Sequence, residues 1–251
     1  MNFTLTQTFQ YLIALCSLLS VLTVAVCGQQ ESISQSETSA AAPTNNAQGA
    51  LWKDVPEKVN VGARYLFYLH GAIVENEGIR PVSPEYGVYE YEKILDTFVN
   101  KGFTVISEAR PRGTDPSQYA AKVAGQLNRL LKAGVGPQRI TVVGASRGGA
   151  IAILASTLLK NRDVNFVILA SCGNSSVYRN TKVDLWGSIL SIYDLKDVTG
   201  AGTCRRFFDN STGVSRHKEI VLRLGLGHGI LYRPMREWVD PTIDWANQMW
   251  R

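Results

Sequence analysis

Residues 139–144 (RITVVG) form an apolar, β-branched run that passes directly into Ala145-Ser146-Arg147-Gly148-Gly149, then into a small-residue stretch ending at Leu159. This junction constrains the fold more than any other feature of the chain. A run that is apolar at every residue, rather than at alternate ones, belongs to a strand buried on both faces. The Gly-x-Ser-x-Gly turn over residues 144–148 joins that strand to a helix over residues 149–159 through a sharp bend. Side chains at 144 and 148 would collide with the neighbouring strand and helix, so the bend requires glycine there. The bend strains the serine backbone and lifts its oxygen above the sheet. It also sets the serine at a helix N-terminus, where free N–H groups favour a developing oxyanion. A Gly-rich turn that binds phosphate, or one that only packs, shares this pattern, so the partners of Ser146 must decide the chemistry.

The flanking sequence alternates in the same manner. Residues 63–69 (ARYLFYL) are a dense apolar run ending in His70-Gly71, and residues 88–100 carry Tyr91, Ile94, Leu95 and Phe98 at helical spacing. Residues 103–107 (FTVIS) read as a strand. Asp115-Pro116 opens a helix, with Asp as N-cap and Pro at the first position. Ala120, Val123, Ala124, Leu127, Leu130 and Leu131 give that helix one apolar face, and Gly134 and Gly136 end it. Residues 164–170 (VNFVILA), 185–193 and 219–224 read as three more strands. A last helix is expected to start at Asp240-Pro241 and to pack through Trp245, Met249 and Trp250. The expected class is α/β, a mostly parallel sheet of about six strands with helices on both faces. Catalytic groups in such a sheet belong in loops beyond the carboxyl ends of the strands.

The chain of 251 residues has room for one domain, or two small ones, after its ends are set aside. Hydrophobic residues at 45% and charged residues at 19% exclude a wholly disordered, collagen-like or disulfide-dense chain. A mean hydropathy of −0.04 excludes a polytopic membrane protein. The net charge of +5 is spread without a basic run or stripe, so no nucleic-acid partner is expected. Residues 1–28 contain no Lys, Arg, Asp or Glu, and residues 11–27 are apolar apart from Ser17, Ser20 and Thr23. This reads as a secretory signal peptide. The missing positive n-region leaves a retained N-terminal anchor as the competing reading, and the run sits at the short limit for a span. Lipid attachment at Cys27 is disfavoured by the bulky Val26. Residues 29–50 are a polar, low-complexity linker expected to be disordered, and residues 51–251 form the folded domain. The expected location is secreted or periplasmic, with membrane contact only through the N-terminal segment if it is kept. Cys16 and Cys27 lie in that segment. Cys172 and Cys204 remain in the folded part, where an oxidising compartment would let them pair, two independent thiols being the alternative. Asn174-Ser175-Ser176 and Asn210-Ser211-Thr212 match the glycosylation sequon.

Four motifs together carry a resemblance: Leu69-His70-Gly71-Ala72, the turn at residues 144–148, the strand end from Asp194 to Asp197, and Gly227-His228-Gly229. With them the sequence resembles the α/β-hydrolase family from about Tyr65 to the C-terminus, and more narrowly small exported bacterial hydrolases. The resemblance implies an α/β-hydrolase fold and a serine hydrolase whose nucleophile, acid and base follow in that chain order. Ser146 is then the nucleophile. Among three histidines, His228 follows the last strand at the carboxyl edge, where the family places its general base. His217 precedes that strand and belongs at the opposite edge, and His70 ends the first strand in the oxyanion loop. The family's strand-end pattern, laid over residues 192–198, puts Asp197 at the acid position and Asp194 at a position usually held by glycine. Asp197 is preferred as the acid, with Asp194 as the alternative. Backbone N–H groups of Arg147 and of Ala72 or Gly71 are expected to form the oxyanion hole. No cofactor is implied, and the cysteines and scattered histidines do not make a zinc spacing.

Residues 73–87 read as a long irregular stretch overhanging the site, with Glu75, Glu77, Arg80 and Tyr86; Glu108, Arg110 and Arg112 end the next strand. Arg205, Arg206, Phe207 and Phe208 lie between acid and base. These charges form either a partly cationic rim for a modest polar or anionic acyl group, or a solvated rim with internal ion pairs. Residues 170–185 leave no room for a large helical cap, which favours small or surface-exposed esters. The expected partner is a small-molecule ester. A peptidase or acyltransferase with the same triad, and a non-catalytic binding domain of the same fold, are the alternatives.

Overall fold

A computed structural model describes residues 49–173, 176–178, 181–199 and 202–249. The N-terminal apolar segment, the linker up to residue 48, Cys16, Cys27, Asn174 and Trp250 lie outside the described residues. A seven-stranded sheet runs in the order β1-β5-β2-β6-β7-β8-β9. Its strands are β1 (Ala50–Trp52), β2 (Tyr65–Leu69), β5 (Thr104–Ile106), β6 (Ile140–Ala145), β7 (Asn165–Leu169), β8 (Trp186–Asp194) and β9 (Gly213–Leu222). Every pairing among them is parallel. Between β2 and β5 stand the short helix α1 (Ala72–Glu77), a hairpin of β3 (Val82–Ser83) and β4 (Gly87–Val88), and helix α2 (Tyr91–Asn100). Helices α3 (Pro116–Lys132), α4 (Arg147–Leu159), α5 (Arg205–Asp209) and α6 (Arg236–Ala246) are the other α-helices among the described residues.

The β2 and β6 strands are buried at every residue, as strands covered on both faces must be. Alternation of side chains divides the core in two. Tyr65, Phe67 and Leu69 pack with the apolar residues of α3 and α4 on one face. Leu66 and Tyr68 pack with those of α2 and α6 on the other. Helix α3 starts where Asp115 caps it, its Oδ1 accepting the Gln118 N–H at 2.8 Å, with Pro116 at N1.

The structure departs from the sequence pattern at several elements. The seventh strand, β1, is three residues long with Leu51 and Trp52 exposed, so it had no burial pattern to read; backbone pairing with β5 forms it. The fold thus takes in Gly49 and Ala50, which the sequence assigns to the linker. The last strand starts at Gly213 rather than near residue 219, because its first half is an exposed edge carrying Arg216, His217 and Lys218. His217 therefore lies within β9, paired with Ile189 and stacked on Phe208 at 4.4 Å, not before the strand. Helix α6 starts at Arg236 and contains Pro241 instead of starting at it. Burial of Trp238 and Val239 in the preceding turn outweighs the one backbone hydrogen bond that Pro241 forfeits. Residues 73–87 are not irregular throughout but form most of α1 and the β3–β4 hairpin.

Candidate active site

Ser146 stands between β6 and α4 with φ 52° and ψ −117°, a conformation costly for any residue with a Cβ. The surroundings hold it there. Its N–H donates to Leu169 O at 2.9 Å, and its carbonyl accepts from Gly149 N, Ala150 N and Ser171 Oγ. A Cβ on Gly144 would meet the backbone of Gly148 and Gly149, and one on Gly148 would collide with the Leu69 carbonyl. Both glycines are fixed by close approach of main chain, which is what brings β2, β6 and α4 together beneath the serine.

His228 lies in a short 3₁₀ turn, Gly227–Leu231, that follows β9. Gly227 enters that turn at φ 54°, and a Cβ there would lie 3.2 Å from Lys196 O. His228 Nε2 is 2.9 Å from Ser146 Oγ, and His228 Nδ1 is 2.7 Å from Asp197 Oδ2. With Asp197 ionised, Nδ1 carries the proton and Nε2 is left to accept from the serine hydroxyl. The Asp197 side chain is fully buried, and the imidazole is 17% exposed. Burial alone would raise the Asp197 pKa; hydrogen bonds from His228 and Thr199 outweigh it and hold the carboxyl below the usual range.

The structure separates the two candidate acids. Asp194, at the end of β8, is buried and turned into backbone: it accepts from Lys196 N (2.9 Å), Leu224 N (2.8 Å) and Gly227 N (3.2 Å). Burial would raise its pKa, but these backbone N–H groups lower it. Asp194 thus clamps the loop that carries Asp197 to the histidine turn, while Asp197 meets the histidine itself.

The β2–α1 loop covers the other side of Ser146. The Cβ direction of Gly71 points within 3.5 Å of Ser146 Cβ. Ala72 N and Arg147 N open α1 and α4, where N–H groups have no partner within their own helix. His70 is fully buried: Nδ1 donates to Gly71 O at 2.8 Å, and Nε2 accepts the Arg110 N–H at 2.8 Å. Burial, with the Arg110 cation beside it, lowers its pKa to about 3, so the ring is neutral. Arg110 and Glu75 are not rim charges. They form a buried ion pair at 2.7 Å, and Arg147 Nε approaches the same carboxylate at 3.2 Å. Arg80 pairs with Glu92 at 2.7 Å, and Glu108 pairs with Lys122, which fits the reading of a rim with internal ion pairs.

Thr199 was not singled out from sequence. Its backbone N–H donates to Asp197 Oδ1 at 2.9 Å, its hydroxyl bonds the same oxygen, and Thr199 Oγ1 lies 2.8 Å from His228 Nδ1. The signal was the Asp-x-Thr spacing, which lets an aspartate accept from the backbone two residues on. Tyr86, at the hairpin turn, packs on Tyr232 at 5.0 Å and against Gly229. Tyr86 and Gly229, with Leu226, Met235, Glu85 and Arg233, line a cavity of about 180 Å³ beside the histidine turn. Cys172 and Cys204 are joined as a disulfide with Cα atoms 4.9 Å apart, tying the loop after β7 to the start of α5. Asn210 is exposed, its amide donating to Arg206 O. Among the described residues, no cluster of three or more His, Cys, Asp or Glu is placed to hold a metal ion.

No family model and no curated protein matches the sequence. Solved structures do match in fold. A protein assigned as a dienelactone hydrolase from Klebsiella pneumoniae aligns with a TM-score of 0.53 at 12% identity, over 77% of this chain and 90% of that one. Esterase B from Lactobacillus rhamnosis, solved with a tributyrin phosphonate, aligns with a TM-score of 0.50 at 11% identity, over 77% of this chain and 79% of that one. The chain has the α/β-hydrolase fold.

Proposed function

We propose that this chain is an exported serine hydrolase that cleaves a carboxylic ester through Ser146, His228 and Asp197. The observation that carries the reading is the unbroken relay from Ser146 Oγ to His228 Nε2 (2.9 Å) and from His228 Nδ1 to Asp197 Oδ2 (2.7 Å), on a serine held at φ 52°. In this reading His228 takes the Ser146 proton as the oxygen attacks the acyl carbon. Asp197 fixes the imidazole tautomer and stabilises the imidazolium. His228 then protonates the leaving alcohol, and water repeats the sequence to release the acid and regenerate Ser146. The backbone N–H groups of Arg147 and of Ala72 or Gly71 receive the oxyanion; removing one such donor costs about 10²- to 10³-fold in turnover.

Substrate size follows from the surroundings of the serine. The described residues between β7 and β8 contain only one 3₁₀ turn, Ser176–Tyr178, and no helical cap. That supports a small ester reaching an open site. The names of both fold neighbours, a dienelactone hydrolase and an esterase, agree with ester cleavage. The Cys172–Cys204 disulfide suits an oxidising compartment, as does the signal-like N-terminus.

Labelling with a fluorophosphonate, alongside hydrolysis of short acyl p-nitrophenyl esters, tests the reading. Wild type takes the label, Ser146→Ala takes none, and His228→Ala and Asp197→Asn label far more slowly. Folded wild-type protein that stays unlabelled would overturn the proposal in favour of a binding domain. Product analysis with an added alcohol separates hydrolysis from acyl transfer.

A further inference from the structure

We infer that Glu75 is a positioning residue for the proposed reaction, locking both arms of the oxyanion hole into one unit through Arg110 and Arg147. The inference rests on the serine-hydrolase reading above. One arm is the loop from His70 to Ala72 at the end of β2. The other is the first residue of α4, Arg147, next to the nucleophile. Nothing in the chain's local sequence joins them, since Glu75 and Arg147 belong to different elements. The Glu75 carboxylate does. Its Oε1 accepts from Arg110 Nε at 2.7 Å, and its Oε2 lies 3.2 Å from Arg147 Nε, an ion-pair contact without hydrogen-bond geometry.

Arg110 extends the grip to the loop itself. Its Nη2 donates to the His70 carbonyl, and its backbone N–H donates to His70 Nε2 at 2.8 Å. His70 Nδ1 in turn bonds the Gly71 carbonyl at 2.8 Å. Arg147 is held at its other end by the Thr114 carbonyl, 3.0 Å from Nη2. Swinging α1 away from α4 must therefore break the Glu75–Arg147 pair, and shifting the loop must break the Arg110–His70 bonds.

Stability alone gives little reason for this arrangement. The Arg110 and Glu75 side chains are 0% and 3% exposed, and a buried ion pair is often no more stabilising than apolar residues of the same volume. Rigidity, by contrast, serves the reaction. Donors aimed at a developing oxyanion act strongly because they need not move when the charge appears. Two guanidiniums sharing one carboxylate also leave one net positive charge on the side where the negative charge forms.

Arg147→Met tests the link without dismantling the core. It keeps the backbone N–H at 147 and the Glu75–Arg110 pair, and the side chain it removes is 34% exposed. The expected result on p-nitrophenyl acetate is a kcat lower by about ten- to a hundredfold with KM unchanged. Affinity for a boronic acid, which forms a tetrahedral adduct on the serine, falls by the same factor. Arg147→Lys recovers part of both, and the thermal midpoint of Arg147→Met stays at the wild-type value. Glu75→Gln separates geometry from charge: it leaves both guanidiniums and adds net positive charge, so a purely electrostatic role raises kcat, whereas a positioning role lowers it. Wild-type kcat and boronate affinity in Arg147→Met overturn the inference, as does a loss carried by KM alone. Wild-type protein that takes no fluorophosphonate label overturns the hydrolase reading and this inference with it, while a labelled wild type with an indifferent Arg147→Met overturns this inference only. If Glu75→Gln does not fold, Arg147→Met decides.

Discussion

On one side of Ser146 lies a cluster almost sealed from solvent; on the other, Asp197 and His228 are carried by two surface loops whose neighbouring residues are exposed. His70, Glu75 and Arg110 are 0%, 7% and 2% exposed, and Arg110 bonds both of the others, 40 residues away at His70 and 35 at Glu75. The acid–base side is built differently. Asp197 is gripped by its own turn through Thr199, its neighbour Val198 is 93% exposed, and His228 rides a five-residue turn entered through glycines 225 and 227, both at positive φ. The difference matches what the proposed reaction asks of each side. Dipoles that receive a charge work best when they do not move. A proton carrier must tolerate two charge states, and an imidazole 17% exposed on a surface loop tolerates them at lower cost than one in the core does.

The sharpest test of that contrast lies within the acid–base side, where two aspartates three residues apart are held in opposite ways. Asp197→Asn should lower kcat on the order of 10⁴-fold, because the amide no longer fixes the histidine tautomer. Asp194→Asn should act chiefly on stability. It weakens charge-assisted bonds to Lys196, Leu224 and Gly227 and should cost about 2 kcal/mol in chemical denaturation. The Asp194 pKa is lowered in the fold, so its contribution is complete above the ordinary value of 3.8 and is lost as pH falls through the folded value. Stability of Asp194→Asn should therefore fall less steeply than wild type below about pH 4. Equal loss of turnover in both variants, at equal stability, would erase the distinction.

The sealed side makes its own prediction through pH. His70 takes up a proton near 6.5 in the unfolded chain but only near pH 3 in the fold, because burial and the Arg110 cation oppose the charge. Between those values the unfolded state binds more protons, so stability falls as pH falls. At pH 5 the loss relative to pH 8 should be about 2 kcal/mol from this residue alone. Urea titrations of wild type and His70→Gln at the two pH values measure it, and the variant should show a shallower dependence. Parallel pH profiles for the two proteins would mean that the loop opens to water and is not sealed.

The same contrast governs what sequence could show. The serine turn was legible because its glycines and flanking apolar runs are local demands of one strand–turn–helix. The helix start at Asp115-Pro116 was legible for the same reason. His228 and Asp197 were reached only through the resemblance, by the family's chain order and strand-end pattern, and the structure brings both together with Ser146. The sealed cluster could not: Glu75 and Arg110 stand 35 residues apart and looked like rim charges, since a sequence shows a charge but not its partner. Strand β1 and the first half of β9 were hidden because edge strands are formed by backbone pairing and carry no apolar pattern. Helix α6 was misplaced because Pro241 signals a start, whereas packing of Trp238 sets one a turn and a half earlier.

Thr199 tests the open side at its smallest scale. Its hydroxyl and N–H both bond Asp197 Oδ1, the oxygen that does not face the histidine, and the hydroxyl also lies 2.8 Å from His228 Nδ1. Thr199→Ala keeps the backbone bond and removes the hydroxyl. A hydrogen bond to a charged group contributes about 1.5 kcal/mol at the lower end, so kcat should drop about tenfold. The pKa of Asp197 is lowered in part by this residue, so its carboxylate should protonate at higher pH in the variant, and the acidic limb of its carboxyl titration, followed by NMR, should move upward. Thr199→Ser returns the hydroxyl without the methyl and should restore both kcat and the limb. Full activity in Thr199→Ala, with the limb unmoved, would show that the turn backbone alone holds the acid, and that the open side is as firmly built as the sealed one.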